Sequence, residues 1–342
     1  MQTLDLNLSA NYDYRLPKSL IASHPINPKE DARLLVYERK NQNITHAKFG
    51  ELFSFLPQDT SVLLNDTKVI KARIFGTKSS GGKIEMLINS PFKDNTFQVY
   101  IKGRVNVNSR LFFCENLHAV VLALHEDGMR IVKFFQNERE LDTRALFKIL
   151  NQIGHVPLPP YIKRADTKKD ENDYQTLFAK YEGSVAAPTA SLHFSEKMFK
   201  ELKRRFETEF LTLHVGAGTF KGVESENINK HIMHAEYFSI SDKAKCLIQS
   251  DKKLLCVGTT TARTVEYFAR TDEGQGFCNI FLNPLNPPMR VNYLLTNFHL
   301  PRSTLIMLVA GFIGLEETLN IYQTAVKEKY RFFSYGDAML IL

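Results

Sequence analysis

The sequence contains no tryptophan and only four cysteines among its 342 residues. The cysteines lie far apart and form no C-x-x-C pair, so neither a disulfide framework nor a zinc ribbon is predicted; they are Cys114, Cys246, Cys256 and Cys278. Long apolar runs are also missing. The longest, TLIMLVAGFIGL at 304–315, is too short to cross a bilayer and is predicted to be a core element. We expect no signal peptide, no membrane contact and a reduced, cytoplasmic protein.

Aromatic residues and positive charge are what the chain does have. Its 25 Phe and 13 Tyr must supply much of the packing, and 44% hydrophobic with 24% charged residues is typical of globular proteins. The net charge of +7 favours a polyanionic partner. The segment 195–207 is predicted to be a helix capped by Ser195, and five basic residues lie off its apolar face. That basic face is either a solvated helix surface or a phosphate-contacting surface.

Hydrophobic periodicity predicts two kinds of structure along the chain. Between residues 63 and 138, short β-type runs alternate with turn signals and no long helix intervenes, which is typical of an antiparallel barrel. In the flanks, strand patterns alternate with helix patterns, which indicates an α/β layer. We therefore predict an α/β domain, residues 1–62 and 139–342, interrupted by a small inserted β-barrel domain, residues 63–138.

Glycines and a histidine follow a predicted strand in LTLHVGAGTF, 211–220. Gly216 and Gly218 would let the backbone approach a ligand closely, and Thr219 follows them. The next glycine comes at 222, so the G-x-G-x-x-G spacing of a dinucleotide site fails. His214 is either a core histidine or an acid/base candidate.

Two further segments join a strand to a helix. In LLCVGTTTAR, 254–263, a threonine is predicted to cap a helix whose start would bind a phosphate or carboxylate, through Thr259 and Thr260. TNFHLPRST, 296–304, gathers polar side chains before the apolar run, which is a typical site arrangement. Its candidates are Asn297, His299, Arg302, Ser303 and Thr304. APTASLHF, 187–194, offers His193 but lacks a G-x-S-x-G elbow.

Several long motifs in one order then carry a family resemblance. HVPLPPYIKR, SVAAPTASLHF, TLHVGAGTF, HIMHAEYF, VGTTTAR, TNFHLPRSTLIMLVAGF and YRFFSYGDAML occur along nearly the whole chain. Together the motifs resemble the S-adenosylmethionine:tRNA ribosyltransferase-isomerases of queuosine biosynthesis. The resemblance implies an α/β domain with a β-barrel, transfer of a ribosyl group from S-adenosylmethionine to 7-aminomethyl-7-deazaguanine at the tRNA wobble position, and epoxyqueuosine, adenine and methionine as products. S-adenosylmethionine would be a substrate, with no further cofactor and no metal.

Roles follow from setting that chemistry beside the residues. A sulfonium acidifies the adjacent C5′ hydrogens, so a positioned histidine would remove one; His214, His299 and His193 are the candidates. Asp337 or Tyr335 would protonate or hydrogen-bond the leaving adenine. The threonines of 259–261, or Arg302, would bind the methionine carboxylate. Aromatic faces at 332–335 would stabilise the sulfonium. We expect a monomer that binds tRNA through basic surfaces.

Three other functions stay open at this level. A non-catalytic RNA-binding protein would also be basic and contain a barrel. A zinc hydrolase would need His231, His234 and His214 as ligands. An S-adenosylmethionine methyltransferase would need a glycine-rich loop after its first strand, and the sequence shows none near its start.

Overall fold

The computed structural model describes residues 4–220 and 222–342, so the first three residues of the predicted α/β domain lie outside it. In chain order the strands are β1 (Arg33–Glu38), β2 (Asn43–Lys48), β3 (Thr60–Asn65), β4 (Thr67–Val69), β5 (Arg73–Lys78), β6 (Lys83–Pro91), β7 (Thr96–Lys102), β8 (Arg110–Phe112), β9 (Leu117–Leu124), β10 (Met129–Gln136), β11 (Arg139–Glu140), β12 (Tyr181–Ser184), β13 (Glu207–Leu213), β14 (Glu236–Ile240), β15 (Lys253–Val257), β16 (Gln275–Cys278), β17 (Tyr293–Asn297) and β18 (Ala338–Ile341). The helices are α1 (Leu52–Phe55), α2 (Thr143–Ile153), α3 (Asp170–Asp173), α4 (Glu196–Arg205), α5 (Asp242–Gln249), α6 (Thr259–Thr271), α7 (Thr304–Ile313) and α8 (Leu315–Lys327).

Nine strands form one mixed sheet, in the order β16-β14-β13-β3-β15-β17-β18-β1-β2. Its four central strands, β13, β3, β15 and β17, are mutually parallel. The strands β14 and β18, which flank this group, both run antiparallel to it. The carboxyl ends of the central strands therefore meet at one edge of the sheet, which is where open α/β sheets bind ligands.

Both faces of this sheet are covered, as the apolar pattern of β15 shows. Leu254 and Cys256 pack into one core with α5, α6, α7 and α8, whereas Leu255 and Val257 pack into another with α1 and α4. Successive side chains of a strand point to opposite faces, so a run without polar residues is the pattern of a strand buried on both sides. The apolar run at 304–315 is α7 and its exit, buried as predicted.

The second sheet closes into a barrel. Six antiparallel strands follow the order β10-β7-β6-β5-β8-β9, the pairing of β9 with β10 closes the ring, and β11 extends β10. Its core holds the buried rings of Phe97 and Phe134, whose centroids lie 5.5 Å apart. Helix α2, capped by the Asp142 carboxylate on the Ala145 N–H at 2.7 Å, packs Leu146 and Leu150 against that core.

The predicted fold class, an α/β domain with an inserted small antiparallel barrel, is confirmed. The predicted domain boundary between residues 62 and 63 falls inside β3, which belongs to the large sheet. The barrel strands begin at Arg73 and end at Glu140, and between them and the large sheet β4 pairs in parallel with β12. Residues 60–78 are nearly continuous β-type sequence, and the pattern of a strand does not say which sheet it joins.

The helix predicted at 195–207 is α4, and the Ser195 hydroxyl accepts from the Met198 N–H at 3.3 Å as predicted. Within the described residues, no single helix is long and apolar enough to span a membrane; only α7 and α8 together pass a test of length and composition, across a bend of 114°.

Candidate active site

A cavity of about 280 Å³ lies at the carboxyl ends of the central strands. Residues that follow β13, β15 and β17 line it, together with loops at 160–161, 186–190 and 333–334. Six residues singled out from the sequence are among its walls: Thr219, Thr259, Thr260, Asn297, His299 and Ser303. The structure therefore brings three separate predicted segments to one site.

The start of α6 supplies free backbone donors to this cavity. Gly258 occupies the N-cap with φ 92°, a conformation that favours glycine, and no side chain caps the helix. The predicted threonine cap is wrong, because the Thr261 hydroxyl instead donates to the Val257 carbonyl at 2.7 Å. The first N–H groups of an uncapped helix point at whatever lies before it, and with the helix dipole they attract an anion. The cavity end at Thr259 and Thr260 suits a carboxylate.

His299 faces the cavity as a neutral imidazole. Its Nε2 lies 2.9 Å from the Thr296 hydroxyl, and its backbone N–H donates to the Tyr322 hydroxyl at 3.1 Å. Burial lowers the pKa of His299 to about 3. The ring is therefore unprotonated at neutral pH, and it is the one imidazole among the described residues that line the cavity.

Asn297 is held at the next position of the wall. Its Oδ1 accepts from the Thr189 hydroxyl at 2.8 Å, and its Nδ2 lies 3.3 Å from His193 Nε2. These bonds tie the end of β17 to the 3₁₀ turn Thr189–His193. The amide is thus fixed before any ligand arrives, which is what a preorganised polar group requires.

Aromatic rings form the apolar side of the cavity. The rings of Tyr161 and Phe333 lie 4.2 Å apart with an interplanar angle of 30°, and Phe220 meets Tyr161 edge-on at 6.5 Å. Phe333 adopts φ 73°, which is uncommon for a residue with a side chain. The Tyr161 hydroxyl hydrogen-bonds Ser334. Such faces suit a planar heterocycle and a cationic sulfur.

The remaining candidates from the carboxyl-terminal segments lie outside this cavity. Both carboxylate oxygens of Asp337 accept backbone N–H groups, from Arg33 at 3.0 Å and Arg331 at 2.8 Å, and burial raises its pKa. The Tyr335 hydroxyl donates to Asp170 at 3.3 Å. Arg302 reaches towards Ser9 at 3.4 Å, so these side chains join distant segments instead of facing the cavity. Thr304 is the first residue of α7 and does not line it either.

His193 and His214 are also placed elsewhere. His193 is buried against the Phe49 ring, 4.8 Å between centroids, and burial lowers its pKa to about 3. His214 lines a separate, open pocket on the other side of the β13 end, and its Nδ1 lies 2.8 Å from the Thr67 hydroxyl. Burial lowers the pKa of His214 too. Only His299 of the three is in the cavity.

The glycine loop is anchored from both domains. The Gly216 N–H donates to Glu236 at 2.9 Å, and the Ala217 N–H donates to Asn89 of the barrel at 2.7 Å. Glu236 is paired with Arg263 at 2.5 Å, and both side chains are 7% exposed. An added Cβ on Gly218 would lie 2.3 Å from the His234 ring, so a larger residue there would have to displace that ring. Gly216 and Gly218 thus shape the loop while Thr219 lines the cavity.

Sequence reasoning missed Glu236, Arg263 and Asn89. Glu236 and Arg263 lie in the motifs HIMHAEYF and VGTTTAR, but no sequence pattern predicts a contact between residues 27 positions apart. Among residues 4–220 and 222–342, no group of three or more His, Cys, Asp or Glu side chains is placed to hold a metal ion. His214, His231 and His234 thus do not form such a group within the described residues.

Comparison with known proteins finds relatives along nearly the whole chain. The family described as "Queuosine biosynthesis protein" matches residues 9–341. The chain is 59% identical over 338 residues to the S-adenosylmethionine:tRNA ribosyltransferase-isomerase of Campylobacter concisus, covering 99% of each chain. It is 57% identical to the protein of that name from Aliarcobacter butzleri, covering 99% of this chain and 100% of the relative.

A solved structure shares the fold. The S-adenosylmethionine tRNA ribosyltransferase of Thermotoga maritima is 32% identical to this chain, with 97% of this chain and 100% of that one covered and a TM-score of 0.55. The identity, the coverage and the matched fold agree along nearly the full length. The chain belongs to the queuosine biosynthesis protein family, and it is an enzyme of the ribosyltransferase-isomerase type.

Proposed function

We propose that this enzyme transfers and isomerises the ribosyl group of S-adenosylmethionine onto 7-aminomethyl-7-deazaguanine at the tRNA wobble position. The products are epoxyqueuosine-bearing tRNA, adenine and methionine. The observation that supports this proposal most is the cavity itself, which combines an uncapped helix start with an aromatic wall. S-adenosylmethionine carries a carboxylate at one end, a planar purine at the other and a cationic sulfur between them.

The donor fits the cavity in one direction. Its carboxylate meets the free N–H groups at Thr259 and Thr260, where the helix dipole favours negative charge. Its adenine lies along Tyr161 and Phe333. The sulfonium between them is stabilised by the faces of these rings, at a few tenths to about 2 kcal/mol per contact.

His299 is the base that this placement favours. The sulfonium acidifies the C5′ hydrogens, and the imidazole takes one of them as a proton. Burial lowers its pKa to about 3, which keeps the ring in the unprotonated form that accepts a proton but makes it a weaker base than a free imidazole. Its hydrogen bond to Thr296 at 2.9 Å fixes the ring during that step.

The other predicted residues act at a distance from the donor. His193 positions Asn297, and Asp337 holds the turn that carries Phe333 and Ser334 by accepting the Arg331 N–H. Asn297 is the cavity residue best placed to hydrogen-bond the leaving adenine. The tRNA is bound through basic surfaces, so its affinity falls with salt. We also propose that the enzyme acts as a cytoplasmic monomer.

The test uses purified protein, S-adenosylmethionine and tRNA carrying 7-aminomethyl-7-deazaguanine. We expect mass spectrometry of the digested tRNA to show the epoxyqueuosine nucleoside, with one free adenine for each nucleoside formed. Methylated tRNA with S-adenosylhomocysteine would contradict ribosyl transfer. Salt-sensitive tRNA binding with neither S-adenosylmethionine binding nor product would favour a non-catalytic RNA-binding protein.

A further inference from the structure

A sheet face next to the cavity carries exposed side chains on two of its strands. The strands β13, β14 and β16 turn Leu213, Phe238 and Cys278 into the core. Alternate residues of the same strands point the opposite way. On that side, Tyr237 is 41% exposed and Phe277 is 62% exposed. Large exposed rings on a sheet face indicate a surface that contacts a partner.

Three rings form a ladder across this face, one from each strand or its end. His214 lies against Tyr237 with ring centroids 5.9 Å apart and planes 21° from parallel. Tyr237 and Phe277 are direct cross-strand partners with centroids 5.8 Å apart. Unpaired RNA bases stack on aromatic side chains presented by a sheet in the same manner. The ladder therefore has the chemistry of a base-stacking surface.

The pocket beside the ladder adds cations. Lys180 and Lys243 line it together with His214 and Tyr237, and Lys180 lies 4.8 Å from the Tyr181 ring centroid. Glu209 is the one half-buried acid there, since Asp66 is buried and accepts from Thr212 at 2.6 Å. Aromatic rings with interleaved lysines are the pattern of single-stranded nucleic-acid binding.

The basic helix α4 continues the same surface. Phe199 of α4 packs on Phe178 and Phe210, both of which line the pocket, with centroids 5.2 and 6.3 Å away. On its other sides α4 carries five basic residues, of which only Arg205 is paired with an acid of the helix, Glu201. The positive charge therefore extends from the pocket along the helix, as a phosphate chain requires.

Hydrogen bonds hold the His214 ring in place beside this pocket. The Ser184 hydroxyl accepts from the Val215 N–H at 2.7 Å and lies 2.9 Å from the Thr67 hydroxyl. The Thr67 hydroxyl in turn lies 2.8 Å from His214 Nδ1, which fixes the orientation of the ring. The other ring nitrogen, Nε2, can hydrogen-bond a polar atom of a nucleobase edge in either tautomer.

We propose that this face, Tyr237, Phe277, His214, Lys180 and Lys243, binds unstacked nucleotides of the tRNA anticodon loop beside the wobble base. The proposal rests on the proposed function, because it assumes a tRNA substrate. It adds where the loop lies: on the far side of the β13 end from the donor cavity, with consecutive residues His214 and Val215 lining the two sites. The partner is single-stranded RNA, recognised by stacking and by phosphate charge.

The absence of tryptophan from the chain makes a direct test possible. The Phe277→Trp variant would place the sole indole on the ladder, and Phe92→Trp would place it on the barrel at a similarly exposed position, 46%. We expect an RNA hairpin with the anticodon-arm sequence to quench the first variant and not the second. A fully paired duplex of equal length should quench neither; equal quenching by duplex and hairpin would overturn the stacking surface.

A second measurement separates this inference from the proposed function. Tyr237→Ala with Phe277→Ala should raise the KM for tRNA about 10-fold to 100-fold and leave S-adenosylmethionine binding unchanged, while Phe92→Ala changes neither. If the wild-type enzyme makes epoxyqueuosine and the double variant keeps its KM, the ladder does not bind tRNA. If the wild-type enzyme makes no product, the proposed function itself fails. Loss of self-association in the double variant, seen by sedimentation, would instead assign the face to a second copy of the chain.

Discussion

The barrel and the α/β domain are both built from strands, but they bury very different side chains. Within the barrel strands, 73–140, the buried polar side chains are Thr96 and His118. The carboxyl edge of the large sheet buries many more, among them Asn65, Thr259 and His299. A closed barrel pairs its strands all round and fills its interior with apolar groups, whereas an open sheet ends in loops and helix starts that leave donors free. The chemistry accordingly collects at the open edge.

The barrel also contacts the glycine loop beside the cavity. Asn89 at the end of β6 accepts the Ala217 N–H, so the glycine loop is held between the barrel and the Glu236 carboxylate. In the proposed function the α/β domain supplies the reacting groups, and the barrel helps to set the loop that carries Thr219. Stability and activity should therefore respond differently to changes in the two domains.

The largest effect should come from breaking the buried ion pair of the α/β domain. Glu236→Leu would leave the Arg263 cation buried without its partner, which costs about 3–5 kcal/mol of unfolding free energy. Urea unfolding followed by circular dichroism measures this. Adding Arg263→Met should restore much of the stability but not the Gly216 N–H acceptor. Equal stability of the single variant and the wild type would contradict a buried, uncompensated charge.

A second prediction concerns pH, because two buried histidines lie at the open edge of the sheet. Burial lowers the pKa of His193 and His299 to about 3 from 6.5, so the unfolded chain binds more protons between these values. Above about pH 6.5 both histidines are neutral in the folded and the unfolded chain, so the free energy of unfolding is highest there. It falls as the pH falls towards 3. Each should contribute about 2 kcal/mol of destabilisation by pH 5.

Unfolding curves at several pH values measure this loss. His193→Gln should remove about 2 kcal/mol of the loss at pH 5, and replacing the exposed His125 of the barrel region should leave the loss unchanged. A stability that stays level between pH 7 and 5 would show that these histidines are not held neutral by burial.

The smallest expected effect belongs to the barrel core. Ile74→Val removes one methylene group from a side chain that is 1% exposed and should cost about 0.5–1.5 kcal/mol. Turnover below the unfolding range should match the wild type, because Ile74 packs only in the barrel core. A lowered kcat with unchanged unfolding would mean that barrel packing reaches the reacting groups.

The sequence predicted the helices and strands better than it predicted which polar residues form the site. The alternating patterns predicted both domains. Asn297, His299, Thr259 and Thr260 reached one cavity because each lies at the end of a parallel strand or within three residues after it. Asp337 and Arg302 looked equally polar in the sequence. Their partners, Arg33 and Ser9, lie about 300 positions away, and no local pattern shows such a contact.

The boundary of the barrel and the role of Glu236 were not predicted from the sequence, for a related reason. β3 and β5 have the same strand character, and only pairing assigns the first to the large sheet and the second to the barrel. Glu236 lies in the motif HIMHAEYF, and its partner is Arg263 from another motif. Local sequence predicts elements well and long-range polar partners poorly.

The most direct test of the account is S-adenosylmethionine binding to a variant with a filled cavity. Thr219 lines the cavity and is half-buried, so Thr219→Phe should place a ring inside it with little loss of stability. Calorimetric titration of the wild type and the variant, with the adenine-release assay in parallel, compares binding and reaction. The account predicts that the variant loses both donor binding and adenine release while its thermal unfolding stays near that of the wild type. Donor affinity and turnover equal to the wild type would show that the reaction takes place elsewhere.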